Sequence, residues 1–139
     1  MAITSMIKSG CGGVGEYLSG TVTLDDTTEY LEFEFNDEVT VDEILVNVTG
    51  GSINDEYDLQ IIYPASDQVA TVATFSASSA PTPSTPLQYF LNSTEGTGHS
   101  GTGKLWFYIP PRGRLRLFAS SLTGTDRTVN MVALGRGGV

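Results

Sequence analysis

The stretch EYLEFEF, Glu29 to Phe35, sends Leu31, Phe33 and Phe35 to one side of an extended chain and Glu32 and Glu34 to the other. That period of two is what a half-buried β-strand requires. The same alternation recurs in Tyr57, Leu59, Ile61 and Tyr63 against Asp58, Gln60 and Ile62, and again in Leu105, Phe107 and Ile109. These apolar faces are expected to meet in one core. In Val39 to Thr49 the phase slips around Asp42-Glu43, from Val39 and Val41 to Ile44, Val46 and Val48. A slip of that kind predicts a β-bulge or a bend at a sheet corner.

Extending the reading gives strands over 14–24, 29–35, 39–49, 57–63, 69–76, 87–92, 104–109, 114–119 and 128–134. Turn-forming residues separate them: Asp25-Asp26, Asn36-Asp37, Gly50-Gly51, Pro64, the 96–103 stretch, Pro110-Pro111 and Gly124. No window carries a sustained helical stripe. The pattern predicts an all-β, antiparallel sandwich of eight or nine strands. Residues 76–86, SASSAPTPSTP, read as an extended surface loop, and residues 1–13, ending in Gly10-Cys11-Gly12-Gly13, as an N-terminal arm before a sandwich domain over 14–139.

A chain of 139 residues buries roughly 68% of the surface its unfolded form exposes, enough for one core. No apolar run approaches the ~18 residues that cross a bilayer, and Lys8 interrupts the opening where a secretory signal needs hydrophobes. Synthesis in a reducing cytoplasm is therefore the expectation, and the single Cys11 excludes an intrachain disulfide. Residues 1–70 hold fourteen acidic side chains against Lys8, net −13; residues 71–139 hold six bases against Glu95 and Asp126, net +4; together they give −9. A net negative field repels phosphate backbones and anionic lipid, so neither nucleic acid nor membrane is an expected partner. By the period of two, Arg112, Arg114 and Arg116 share one face and Glu32 and Glu34 another. These ladders are predicted to be neighbours, within a subunit or between subunits.

Motifs for catalysis or ligand binding fail on their details. Gly98 to Lys104, GHSGTGK, approximates a phosphate loop, but Leu105 stands where a magnesium-holding hydroxyl belongs and a strand follows instead of a helix. Gly10, Gly12 and Gly15 fit GxGxxG without the flanking strand and helix of a dinucleotide site. His99 beside Ser100 has the groups for a nucleophile and its base, yet adjacent loop residues rarely hold that geometry, and no oxyanion hole is identifiable. The acidic side chains are too numerous to single out a glycosidase pair. Asn54, Asp55, Glu56 and Asp58 offer oxygen ligands, but their spacing is not that of a calcium loop, and a solvated acidic turn is the expectation. Asn47-Val48-Thr49 and Asn92-Ser93-Thr94 match glycosylation acceptors by chance, and no cation stands beside Cys11 to activate its thiol. Neither a cofactor nor a metal is expected. Trp106 and Phe107 point to opposite faces of one strand, so one ring is expected in the core and the other outside it.

The segments TVTL (Thr21–Leu24), YDLQIIYPASDQVAT (Tyr57–Thr71) and LWFYIPPRGRLRLFAS (Leu105–Ser120) together resemble a jelly-roll sandwich over roughly residues 14–134. The chain is similar to carbohydrate-binding modules and to small domains appended to secreted peptidases, in which a DLxIxYP-like strand and a proline-then-RLRL strand recur. With its N-terminal arm it also resembles the decoration, or cement, proteins that tailed phages place on their capsids. In that family the jelly roll is a rigid body, while arms and loops clamp neighbours. The resemblance implies a non-enzymatic virion structural protein, made in the host cytoplasm and located on the capsid surface. Its implied partners are the major capsid protein and copies of itself, with a trimer as the implied oligomer. The expected interface residues are Ile3, Met6, Ile7 and Lys8 of the arm, Trp106, and the basic series Arg112, Arg114 and Arg116. A carbohydrate-binding module would instead expose several rings among Tyr17, Tyr57, Tyr63, Tyr89, Trp106 and Tyr108. A tail or fibre component touching the host is a further alternative.

Overall fold

A computed structural model describes residues 3–8, 15–24, 30–35, 38–90, 99–103, 107–123 and 127–137. They form eleven strands: β1 (Ile3–Lys8), β2 (Gly15–Leu24), β3 (Tyr30–Phe35), β4 (Val39–Thr49), β5 (Glu56–Ile62), β6 (Val69–Ala77), β7 (Leu87–Phe90), β8 (His99–Gly103), β9 (Phe107–Ile109), β10 (Arg114–Ser121) and β11 (Arg127–Gly137). All nine expected strands are present, their ends differing by up to three residues, and the expected positions 14, 29, 91–92 and 104–106 lie outside the described residues. Two further strands come from stretches without apolar alternation. Ile3–Lys8, read as part of an arm, runs parallel to β3, and His99–Gly103, read as loop, pairs antiparallel with β6.

The strands make two sheets, ordered β1-β3-β10-β5-β6-β8 and β2-β11-β4-β7, with β9 also on β4. Without β1, β8 and β9, the spatial orders 3-10-5-6 and 2-11-4-7 are those of an eight-stranded jelly roll, in which consecutive strands pass from one sheet to the other except at the β5–β6 hairpin. Apart from β1 with β3, every pairing is antiparallel.

The alternation in EYLEFEF does what it predicts: Leu31, Phe33 and Phe35 are buried between the sheets. Leu115, Leu117 and Ala119 of β10 and Tyr57, Leu59 and Ile61 of β5 continue that inner layer. Opposite them lie Ile44, Val46 and Val48 of β4, Val129 and Met131 of β11, and Leu87 and Tyr89 of β7. Three rings bridge the layers. Tyr57 stacks on Phe75 at 5.4 Å, and Phe75 on Tyr89 at 4.4 Å with planes 7° apart. Tyr57 and Phe75 are a cross-strand pair in one sheet and Tyr89 belongs to the other, so this stack fixes how the sheets are set together. Tyr63 falls just past the end of β5 and is exposed, so the strand period stops one residue short of it.

The phase slip at Asp42 is a bulge. Leu134 pairs with Glu43 and Gly135 with Val41, which leaves Asp42 as the extra residue. Gly135 is needed at that point because a β-carbon there would lie 2.6 Å from the Thr40 carbonyl oxygen and 2.8 Å from Val39 Cγ2. The proline-rich stretch is more fixed than an extended loop. Pro81 is buried and its carbonyl accepts from the Gly50 amide, while Thr82 and Thr85 exchange backbone hydrogen bonds.

Leu117, fully buried at the centre of β10, tests this packing. Leu117→Ala is expected to lower stability by about 2–5 kcal/mol through lost burial and residual cavity. In urea unfolding that appears as a lower midpoint at unchanged slope; an unchanged midpoint would mean that the sheets do not close on this side chain.

Candidate functional site

Two charged constellations stand out, one on the outer face of the six-stranded sheet and one at an end of the sandwich. On the outer face, antiparallel register sets Arg116 directly across from Glu32 and Arg114 across from Glu34. Arg116 Nε and Nη2 lie 2.8 and 2.7 Å from Glu32 Oε2, and Arg114 Nη1 lies 3.3 Å from Glu32 Oε1. Arg114 Nη2 also reaches Asp67 of the β5–β6 turn at 3.0 Å. The Arg116 guanidinium covers the Tyr30 ring at 4.1 Å from its centroid. Held between two arginines, Glu32 is only 4% exposed although it faces outward from the sheet. The predicted neighbouring of acidic and basic ladders is therefore realised within one subunit.

Arg112 does not join this ladder. It sits in the β9–β10 turn at φ 68°, donating its amide to Phe35 O at 2.9 Å, and its side chain is exposed. The turn breaks the period of two that placed it with Arg114 and Arg116. Of the other expected interface residues, Ile3, Met6, Ile7 and Lys8 fall in β1, in register with Tyr30, Phe33, Glu34 and Phe35. Trp106 lies outside the described residues. The structure thus brings Arg114 and Arg116 together and places β1 beside β3 in the same sheet.

At the end of the sandwich, Asp55 and Arg127 form an ion pair that the sequence reading missed. Arg127 is fully buried and Asp55 is 2% exposed. Arg127 Nε and Nη2 each lie 3.2 Å from Asp55 Oδ2. Asp55 also accepts from the Ser52 amide at Oδ2 and the Thr123 amide at Oδ1, each at 2.8 Å, and Arg127 Nη2 donates to the Thr123 carbonyl at 2.8 Å. The expectation of a solvated acidic turn is corrected here: Asp55 is buried and its oxygens are taken by an arginine and two amides. Asn54 and Glu56 are exposed, so the oxygen donors of 54–58 do not converge. Among the described residues no group of three or more metal-ligating side chains comes together. The signal that was available is Gly50-Gly51. Both have φ near +85°, and a β-carbon on Gly51 would lie 2.6 Å from Asp55 Oδ2 and 2.7 Å from Arg127 Nε.

Tyr57 points its hydroxyl into the same region, buried and without a hydrogen-bond partner among the described residues. Burial, reinforced by the Asp55 charge and partly offset by Arg127, pushes its phenol far above the ordinary range, so it stays protonated. Tyr89 is raised by burial alone. Tyr108 is exposed and donates to Glu38, which raises its phenol. Of the tyrosines named for a sugar platform, Tyr57 and Tyr89 are core residues. Tyr63 and Tyr108 are exposed, the first just after β5 of the six-stranded sheet and the second in β9 on the five-stranded one. Tyr17 is in β2 and its side chain lies outside the description. His99 and Ser100 lie next to each other on β8, paired with Ala77 and Ser76.

No family model matches this sequence, and no curated protein matches it. Solved structures do share its fold. A chain described as the cyanophage Pam1 capsid asymmetric unit is 17% identical, with 91% of this chain and 86% of that chain covered and a TM-score of 0.50. The CBM36-1 domain of a multidomain xylanase from the hindgut metagenome of Trinervitermes trinervoides is 12% identical, over 91% of this chain and 98% of that chain, with a TM-score of 0.44. A chain of the acidic stable capsid of Helicobacter pylori bacteriophage KHP30 is 10% identical, over 88% and 92%, at a TM-score of 0.40. At 17% identity the likeness to the Pam1 chain is one of fold, and it agrees with the jelly-roll strand order.

Removing one partner of the buried pair strands the other charge. Asp55→Ala is expected to cost about 3–5 kcal/mol, and joint replacement of Asp55 and Arg127 by Leu and Met to recover most of it. Denaturant unfolding of the three proteins checks this, and a double variant no better than the single one would refute the pairing energy. A second outcome concerns Asp58, whose carboxyl is raised by partial burial and then by Glu56. Because the folded value lies above the unfolded one, the ionised group opposes folding at neutral pH, and that opposition disappears as pH falls below the unfolded value. Asp58→Asn is therefore expected to raise the melting temperature at pH 7 and to leave it unchanged near pH 3; equal shifts at both would exclude this origin.

Proposed function

We propose that this protein is a non-enzymatic structural component of a virus particle, a capsid decoration or cement protein that holds the shell together by protein–protein contacts. The observation that carries this reading is how the chain commits its reactive and charged groups. Arg114, Arg116 and Glu32 close on one another, Asp55 and Arg127 do the same in the interior, and Tyr57 and Tyr89 are packed into the core. What this leaves outward is a rigid two-layered body with exposed groups suited to contact. The fold shared with a chain of the Pam1 capsid supports the same reading.

The major capsid protein and further copies of the chain are its partners in this reading, and the capsid surface its location. The pairing of Arg114 and Arg116 within the subunit changes which arginine makes the outside contact. Buried or bridged cations are already satisfied, whereas Arg112, exposed at a turn tip, is placed to meet an acidic surface. Residues 1–13 form the second contact in this reading, and β1 within them is itself a strand of the six-stranded sheet. A carbohydrate-binding role has the weaker support, since Tyr57 and Tyr89, two of the rings such a surface would expose, are buried.

Mass spectrometry of purified particles from the source is expected to find the chain in many copies per particle; finding it only in the unassembled fraction overturns the proposal. In cosedimentation with such particles, Arg112→Ser is expected to weaken attachment and deletion of residues 1–13 to abolish it, while thermal unfolding of the deleted chain, which loses β1 from its sheet, stays cooperative. Undiminished attachment by the deleted chain would remove that segment from the interface.

A further inference from the structure

Strand β2 ends its sheet. Its ten residues, Gly15 to Leu24, are registered residue by residue to β11 on one side without a bulge, and among the described residues no strand pairs with the other side. The remaining sheet-end strands are short: six residues in β1, five in β8, four in β7 and three in β9. An open edge presents a row of amides and carbonyls that will pair with any strand that fits. Proteins that must stay apart shield such edges with shortness, bulges, proline or lysine. The sequence GEYLSGTVTL has no proline, lysine or arginine. Among the described residues, the longest sheet edge is thus the one with the least protection.

We infer that β2 pairs edge to edge, antiparallel, with β2 of a second copy, joining two five-stranded sheets across a two-fold axis. The inference builds on the structural role proposed above, of which it names one contact. Charge selects the occupant. At a net −9 two copies repel over most of their surfaces, so they meet where charge is absent, and Glu16 is the only charged residue in β2. A two-fold axis through the pair of Gly20 residues sets Glu16 of each copy across from Leu24 of the other, and Leu18 across from Val22, so no like charges are opposed. The uncharged character continues away from the edge. Asn130 of β11 donates to the exposed Thr21 at 2.9 Å, and Asn47 of β4 accepts from Gln88 of β7 at 2.9 Å. Pairing a strand with its own copy is an isologous contact and requires a two-fold, where the sequence resemblance implied a threefold.

Sedimentation equilibrium of the full chain over a wide concentration range is the test. Wild type is expected to form a monomer–dimer equilibrium, with β2 amides exchanging hydrogen more slowly as concentration rises. Thr21→Lys with Thr23→Lys adds two positive charges, taking the net from −9 to −7. General repulsion therefore falls, yet the dimer is expected to be lost and the concentration dependence of exchange with it, while the thermal melt remains cooperative. A wild-type monomer at all concentrations overturns the inference, as does a trimer or any oligomer that survives the lysine pair. Particle attachment is scored separately: a monomer that still sediments with particles sinks only the β2 contact, and a dimer absent from particles sinks only the structural role.

Discussion

The Asp55–Arg127 pair is the constraint around which one end of the sandwich is built. Asp55 precedes β5, in the six-stranded sheet, and Arg127 opens β11, in the five-stranded one, so the pair ties the layers together. Its satellites are backbone groups. Ser52 and Thr123 deliver amides to the carboxylate, Thr123 offers its carbonyl to the guanidinium, and the Asp55 carbonyl accepts from the Ala77 amide at the end of β6. Each of those bonds satisfies a polar group that would otherwise be stranded away from water. A buried pair of this kind stabilises little compared with an apolar replacement; its value is in fixing geometry, because only one arrangement satisfies every donor. Gly51 follows from it, since any side chain there would occupy the space of the pair.

The outer ladder works by different physics. Glu32 is shielded on one side by the sheet and on the other by two guanidiniums, of which Arg116 is additionally held by the Tyr30 face. Three charges and a ring occupy a surface that would be open on an ordinary sheet. Arg114 extends the chain of contacts to Asp67, in a turn whose Ala65 and Asp67 both adopt positive φ. The ladder therefore also braces a strained turn. Its net effect is to turn a stripe with strong fields into one that is nearly neutral, leaving the uncompensated negative charge elsewhere.

Much of the fold was legible because strand alternation is a local signal. EYLEFEF and the β5 and β10 segments have a buried face at every second residue, and the slip at Asp42 marked the bulge in β4. Strands β1 and β8 were not legible. HSGTG has no apolar residue to alternate, and β1 pairs parallel with β3 through backbone bonds that leave no mark in its composition. The ladder was readable, since period and sign alone put Glu32 near Arg114 and Arg116. Arg112 was misplaced because a turn interrupts the period at Pro110-Pro111. The buried pair left one trace, the Gly50-Gly51 turn; Asp55 and Arg127 are 72 residues apart, and each looks like an ordinary loop charge until the topology brings them together.

The jelly-roll order has a consequence for how this protein comes into being on the ribosome. Strand β2, synthesised well before β11, takes it as its neighbour, and the Arg127 that Asp55 needs belongs to that same later strand. Neither the five-stranded sheet nor the interior charge pair can close until residue 137 has left the exit tunnel. The native pairing is therefore unavailable until β11 has emerged, and nascent chains spend that interval with the Leu31, Phe33 and Tyr57 faces uncovered. A body assembled from such distant partners folds slowly, and its cooperativity gives it no stable half.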